Sequence, residues 1–212
     1  MHELLNNYDV LIGCEESGTV RDAMIAIGLR AISCDLLPTR SPGPHFQGDV
    51  REVINAKKWP LIILHPDCTT LAVSGNRWYG KGQPHHEERQ VAIRWTVQTW
   101  EHVQQCAERA ALENPVGVLS TEGGMGVPQY IHPWQYGHGE QKKTGLWLWN
   151  LPELVPTNIV EGREQRVWRM GPSPNRKRDR SVTYSGVADA FANQWGKLVL
   201  NSSTKLNTSD KP

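Results

Sequence analysis

The sequence is short of several things, and each shortage excludes something. No apolar run is long enough to span a bilayer, and Met1 to Asp9 lacks the layout of a signal peptide, so a cytoplasmic protein with no membrane partner is expected. Charge of one sign is scarce: 23 Lys and Arg stand against 22 Asp and Glu, leaving +1. Any affinity for nucleic acid must therefore come from a local basic patch. The four cysteines, Cys14, Cys34, Cys68 and Cys106, are far apart and form no CxxC pair. That argues against a disulfide framework and a zinc site of the usual spacing, so no metal is expected. No linker-like stretch, repeat or low-complexity block divides the chain, and 212 residues suffice for one α/β domain but are short for two.

What is present reads as alternating strands and helices. Tyr8 to Cys14 is an apolar run ending in the polar turn Glu15-Glu16-Ser17-Gly18. Thr19 to Gly28 has helical spacing, with Val20, Ala23, Met24 and Ile27 on one face, and Leu29 to Cys34 is apolar again up to Asp35. This is a βαβ unit with an acid ending its second strand. Leu36 to Gly48 is rich in Pro and Gly and reads as loop, and Asp49 to Ala56 as a short helix. Pro60 to Leu64 has the continuous apolar character of a central parallel strand. Glu87 to Arg109 is the clearest helix, with Ile93, Val97, Trp100, Val103 and Ala107 on one face. Ala110 to Leu112 is a short strand leading to Glu113-Asn114-Pro115. Gly117 to Gly139 reads mostly as loop, Thr144 to Trp149 as strand, and Pro152 to Asp179 as loop-rich. Val187 to Trp195 closes the fold as a helix. The expected organisation is a single α/β domain over residues 1–200 and a disordered polar tail over 201–212.

The order implies a doubly wound sheet, in which ligands bind at the carboxyl ends of the strands. The turns at 14–18, 35, 49, 65–69 and 113–115 then share one edge. Three of the cysteines read as small core residues, whereas Cys68 lies in the polar turn His65-Pro66-Asp67-Cys68-Thr69 directly after a central strand, where a nucleophile can sit. Its alternative is a buried turn cysteine. The nine tryptophans divide between core and a possible stacking surface, and composition does not separate the two.

Several of these turns, in order, resemble the motif series of cytosine-5 DNA methyltransferases. CEESGTVRDAMIAIGLRAISCD is similar to that family's cofactor loop, helix and acidic strand end, and GDVREV to its next acidic turn. LIILHPDCTTLAVSG is similar to the strand and Pro-Cys loop, LENPVGVLS to the Glu-Asn motif, and YSGVADAFANQWG to the closing helix that returns to the cofactor pocket. The match spans about residues 8–120 and 184–196. The resemblance implies a Rossmann-like class I methyltransferase fold, S-adenosylmethionine as cofactor, and carbon 5 of cytosine in DNA as the target. It implies Cys68 as the nucleophile that adds to carbon 6 and makes carbon 5 electron-rich. Glu113, held neutral, would act at ring N3, in a turn fixed by Asn114 and Pro115. Around the cofactor it implies Glu15, Glu16, Ser17, Gly18, Pro66 and Asn193, with Asp35 accepting from the ribose and Asp49 from the adenine amine.

The chain departs from the family at several points. Its nucleophile loop reads Pro66-Asp67-Cys68 instead of Pro-Pro-Cys, and an anionic Asp67 would raise the thiol, an effect that a protonated His65 would offset. The first loop has only Gly13 and Gly18, and Lys142-Lys143-Thr144 stands roughly where the family has an arginine motif. Only Leu151 to Arg180 is available for target recognition, as in small phage- and prophage-like forms. Specificity is then low or supplied by a protein partner, or the substrate is single-stranded DNA, RNA or a nucleotide. Asn175 to Arg180 carries Arg176, Lys177, Arg178 and Arg180, a phosphate contact or merely a solvated face. Trp78-Tyr79 with Gly80 and Gly82 forms either a flap over a flipped base or a loop anchored by a buried Trp. Glu113 has a loop-capping alternative, Asp49 that of a helix start, and His85-His86-Glu87-Glu88 that of a solvated helix N-terminus. A same-fold enzyme modifying another pyrimidine and a non-catalytic nucleic-acid-binding relative remain the rival readings.

Overall fold

Strand-forming runs and amphipathic helices alternate along the chain much as their spacing predicts. The computed structural model describes residues 2–171, 173 and 176–208, and the side chains of these except 2, 167, 168, 176–178 and 203–208. Helix α1 (His2–Leu5) precedes β1 (Val10–Gly13), α2 (Thr19–Ala26), β2 (Ala31–Asp35), β3 (His45–Gln47), α3 (Val50–Ile54) and β4 (Leu61–Leu64). Then come α4 (Asn76–Tyr79), α5 (His86–Cys106), β5 (Ala110–Pro115), β6 (Gln129–Ile131) and β7 (Thr144–Trp149). Short helices α6 (Arg166–Arg169) and α7 (Arg176–Ser181) lead to α8 (Ser185–Ala190), a π-helical turn at Phe191–Gly196, and α9 (Lys197–Thr208).

The described strands form one sheet in the order β3-β2-β1-β4-β5-β7-β6. The strands from β3 to β5 are mutually parallel, and β7 runs antiparallel to both β5 and β6. This is the Rossmann-like α/β arrangement expected from the sequence. The chain order reverses between β1 and β4, which sets a crevice beyond their carboxyl ends. Backbone bonds close that crevice at its base: His65 N–H donates to the Gly13 carbonyl (2.9 Å), and Glu15 N–H to the Cys34 carbonyl (3.1 Å).

Alternation along the central strands builds two cores. Leu11, Ile62 and Leu64 face Val53, Trp59, Trp100 and Val103 on one side. Ile12 and Ile63 face Val20, Met24, Phe191 and Trp195 on the other. Each fully buried aliphatic side chain contributes roughly 1.5–3 kcal/mol. Phe191 and Trp195 stack at 4.6 Å, and the Trp195 indole donates to the Pro152 carbonyl.

The structure corrects several sequence expectations. The stretch expected as loop over 36–48 contains β3, and 117–139 contains β6; both are three-residue edge strands with little apolar signal. Helix α5 stops at Cys106 rather than Arg109, because Trp59 bridges to the chain around 107, donating its N–H to the Cys106 carbonyl and accepting from Glu108 N–H. The boundary expected at residue 200 falls inside α9, whose Val199 is buried in the second core. Residues 209–212 of the expected tail lie outside the described residues. No described helix is long and apolar enough to cross a membrane.

Candidate active site

Strands β4 and β5 pair in parallel, with Leu64 beside Leu112, so the residues that follow, His65 to Cys68 and Glu113, emerge together at the carboxyl edge. His65 Nδ1 lies 3.2 Å from Glu113 Oε2, and both side chains are largely buried. His65 Nε2 is buried with no partner. Asn114, also buried, donates its amide to the Pro66 carbonyl at 2.9 Å. It therefore grips the turn that carries Cys68, where the sequence had suggested that it fixes the glutamate's turn.

The electrostatics of this cluster differ from expectation. Burial pushes the Cys68 thiol up, the Glu113 carboxylate adds to the rise, and Lys142 opposes it; Asp67 contributes less than either. The Asp67 carboxylate accepts from Thr69 N–H (3.0 Å) and its hydroxyl (2.7 Å), which closes the turn. His65 does not offset Asp67 at the thiol, because its Nδ1 faces Glu113 instead. Burial also pushes Glu113 up, but the His65 hydrogen bond and the Lys142 charge outweigh it and hold the carboxyl below its ordinary range. The unliganded site thus favours ionised Glu113, not the neutral acid expected.

Lys142, just before antiparallel β7 and in the stretch that stands where the family has an arginine motif, is the cation of this cluster. Pro115 pairs with Thr144, which puts the start of β7 at the same edge as Glu113. Lys142 Nζ also donates to the Arg180 carbonyl (3.0 Å), tying α7 to the site. Arg180 thus reaches the site through its backbone, while the side chains of Arg176, Lys177 and Arg178 lie outside the described residues.

The cofactor residues divide into two groups. Glu15 is consumed locally: its carboxylate accepts from Val20 N–H (2.7 Å), Arg21 N–H (3.3 Å) and Ser17 Oγ (3.0 Å), capping α2. Glu16 pairs with Arg40 at 3.3 Å. Gly18 is left-handed at φ 78, and a Cβ there would collide with the Arg21 guanidinium. Asp49 caps α3 through Arg51 N–H (2.9 Å) and is bound by the Arg51 guanidinium, which holds its carboxyl below the usual range against the upward push of burial. The helix-start reading therefore accounts for Asp49. The exposed Asn193 turns its amide onto the Asp189 carbonyl of its own helix (2.9 Å). Asp35 instead remains half-buried at the end of β2, with Leu37 N–H on Oδ1 (2.9 Å) and exposed Leu36 and Leu37 beside it. Buried Pro66 also lies at the edge.

Cys14 follows β1 with φ 59, a strained value for a non-glycine residue. Burial pushes its thiol far up, and Asp35, Asp49 and Asp67 all add to the rise, so these carboxylates converge around the crevice. Between Thr19 and the entry to α8 lies a cavity of about 540 Å³, with Glu140, Arg180, Tyr184 and Ser185 on its wall. The closing helix thus meets the cofactor loop. A close approach at Gly186, where a Cβ would collide with the Tyr136 carbonyl, seats α8 there.

Two further positions resolve open readings. Trp78 is half-exposed, and the loop before it is anchored by the buried Arg89, which donates to Thr70 O (2.6 Å), Asn76 Oδ1 (2.8 Å) and Ala72 O (3.3 Å). His85 pairs with Glu88 (2.6 Å), His86 faces the Tyr79 carbonyl (3.1 Å), and no metal-holding cluster occurs among the described residues.

No family model matches the chain, and no curated protein does. Among solved structures, the S. pombe Dnmt2 methyltransferase is similar to it at 13% identity and a TM-score of 0.47. The likeness covers 76% of this chain and 54% of that one, so the chain spans about half its length.

Proposed function

We propose that this chain is an S-adenosylmethionine-dependent methyltransferase acting at carbon 5 of a cytosine in DNA, with Cys68 as nucleophile. The observation that carries the proposal is the convergence of Cys68, Glu113, His65 and Lys142 at the adjoining ends of β4 and β5. The Cys68 sulfur forms a bond to carbon 6, and the displaced π pair makes carbon 5 nucleophilic. Ionised Glu113, held by His65 Nδ1, accepts from the exocyclic amine of cytosine and can take up the proton that the thiol gives up and pass it to ring N3. Lys142 stabilises the two anions at once. A base then removes the carbon 5 proton, and the thiol leaves.

When bound, S-adenosylmethionine supplies an electrophilic methyl group. The residues for holding it are Asp35 at the ribose, with Leu36 and Leu37 offering apolar cover, and the backbone of Glu16, Ser17 and Gly18. Glu15 and Asp49 shape the turns rather than contact the cofactor. Because the span 151–180 is short, target recognition falls to a protein partner or to the flexibility of the nucleic acid itself.

The raised Cys68 thiol favours one rival, a binding protein that keeps the fold without turnover. Transfer of labelled methyl to duplex DNA, single-stranded DNA, RNA and cytosine nucleotides decides between them, with Cys68→Ala alongside. Label in a DNA substrate that disappears in the variant is the expected result. Cofactor binding with no label in any substrate would overturn the methyltransferase reading.

A further inference from the structure

We propose that the outer sheet edge beside the active site is a docking platform for single-stranded nucleic acid, built from Tyr130, His132, Trp134, Lys143 and Arg163. The inference deepens the reading of the site as one that acts on a base in nucleic acid. Ile131 pairs with Thr144 across β6 and β7, so His132 and Lys143 are the next opposed positions, and Tyr130 shares their face. Lys143 Nζ sits 4.0 Å from the centre of the Tyr130 ring. His132 stacks on Trp134 at 5.8 Å and 23°, and the Arg163 guanidinium covers Trp134 at 3.9 Å. Burial lowers the His132 ring's affinity for a proton, and Lys143 and Arg163 lower it further, which places both cations close to that ring.

The platform is held rigidly. Segment 157–164 bonds along 134–141: Val160 N–H donates to Trp134 O (3.0 Å), Asn158 N–H to Gln135 O (3.1 Å), and Glu164 N–H to Gly139 O (2.9 Å). Arg163 donates to the Val160 carbonyl at 2.7 Å, which fixes the plane of its guanidinium. Neighbouring carboxylates do not cancel the charge: Glu140 and Glu164 are engaged by Arg166. Among the described residues, neither Lys143 nor Arg163 is in a salt bridge.

Alternating aromatic faces and cations are what an unpaired strand recognises, since every base has a π-face and phosphates need positive charge. A duplex has its bases already stacked and offers these rings nothing. The location is also right. Strand β6 lies two positions from β5, about 10 Å away at ordinary strand spacing, and its carboxyl end shares the edge at which Glu113 lies; Tyr130 aligns with Gly145 and Asn114, so the platform face is the one opposite the Glu113 side chain. A single strand with its cytosine at Cys68 would cross this edge to bring its flanking nucleotides to Lys143, Tyr130 and Trp134 on the other face.

The test is fluorescence anisotropy of a labelled single-stranded oligonucleotide carrying one cytosine, with the full chain over a range of salt. Tyr130→Ala and Lys143→Ala, both on exposed side chains, are the informative variants. Trp134→Ala accompanies them, with its fold checked by circular dichroism. Arg94→Ala, on the exposed side of α5, controls for loss of one charge. Tyr130→Ala weakens binding about tenfold, as loss of one stacked base does. Lys143→Ala flattens the salt dependence by about 0.7, the value for one phosphate contact on a single strand. Arg94→Ala binds like the parent. No binding of the single strand, or platform variants that bind like the parent, would overturn the platform, even where methyl transfer is intact. Binding lost only in the platform variants, without transfer to any substrate, would uphold the platform and remove the methyltransferase reading. A duplex that binds as tightly and responds equally to Tyr130→Ala would also overturn it.

Discussion

Replacing Arg21 by Met tests how the cofactor side of the crevice is held together. Arg21 is fully buried, and its guanidinium spreads across the loop that follows Asp35. Nε donates to Asp22 (2.8 Å), Nη1 to Ser33 Oγ and Thr39 Oγ1 (both 3.1 Å), and Nη2 to the carbonyls of Ser41 (3.0 Å) and Pro42 (3.4 Å). Met has similar length and fills much of the space, so the change isolates polar interactions from packing. The Asp22 contact adds little, because that carboxylate is 44% exposed. The remaining bonds come from a charged donor, each contributing about 1.5–3 kcal/mol, but part of that sum only offsets the cost of burying the guanidinium. The net loss on breaking such a buried arrangement is about 3 kcal/mol. For a chain of this size, that lowers Tm by roughly 6–12 °C. Thermal denaturation followed by circular dichroism reads the stability. Titration with S-adenosylmethionine reads the second consequence, a weaker Kd, because loop 36–44 loses its tether to α2. Arg21→Lys restores the charge but not the fork and recovers less than half of the loss. A Met variant that melts within about 2 °C of the parent would refute the reasoning, since the loop would then be held by its other contacts alone.

Two predictions concern groups nearer the chemistry. The Cys68 thiol ionises above the ordinary cysteine range, so its alkylation by iodoacetamide, followed peptide by peptide, accelerates only at correspondingly high pH. Removing the neighbouring anion with Glu113→Gln moves that midpoint down, and Lys142→Ala moves it up; an unmoved midpoint in both would show that burial alone sets it. Glu15→Ala removes the cap of α2 and costs about 1–2 kcal/mol of stability, visible as a lowered Tm. Weakened cofactor binding with no change in Tm would instead return Glu15 to the cofactor.

The central elements were legible because their physics is local. Leu61–Leu64 is apolar at every position and lies buried at every position, as a strand covered on both faces must. Helix α5 showed its stripe at Ile93, Trp100 and Val103. The edge strands were not legible: His45–Gln47 and Gln129–Ile131 are half-exposed and take their pairing from one neighbour each. At the site, the positions of Cys68 and Glu113 followed from a strand ending in a polar turn. Their partners did not. The bonds from His65 to Glu113 and from Asn114 to Pro66 each span 48 residues, so only the pairing of β4 with β5 reveals them. At Glu15 a local claimant was overlooked. An acid in a cofactor-like turn was given to the ligand, although a helix N-terminus two residues beyond Ser17 was the nearer claimant on its carboxylate.

The direction of β7 explains why Lys142 matters. In a parallel sheet every strand begins at the edge opposite the catalytic crevice, so a lysine at a strand start would lie a strand's length from Cys68. Because β7 runs antiparallel between β5 and β6, its first residues arrive at the carboxyl edge, with Thr144 beside Pro115 and Ile131. That one reversal delivers Lys142 to the thiol and Glu113, and Lys143 to the aromatic face of β6. It also draws in the 157–164 segment and the Arg180 carbonyl, both of which bond to residues just before β7. The same cation that lowers Glu113 also lowers Cys68, whereas Glu113 raises Cys68. A proton received by Glu113 therefore removes an anion from beside the sulfur and favours the thiolate. In the proposed reaction, protonation at ring N3 and thiolate formation are then coupled in the direction that addition to carbon 6 requires, and Lys142 sets the level from which both begin.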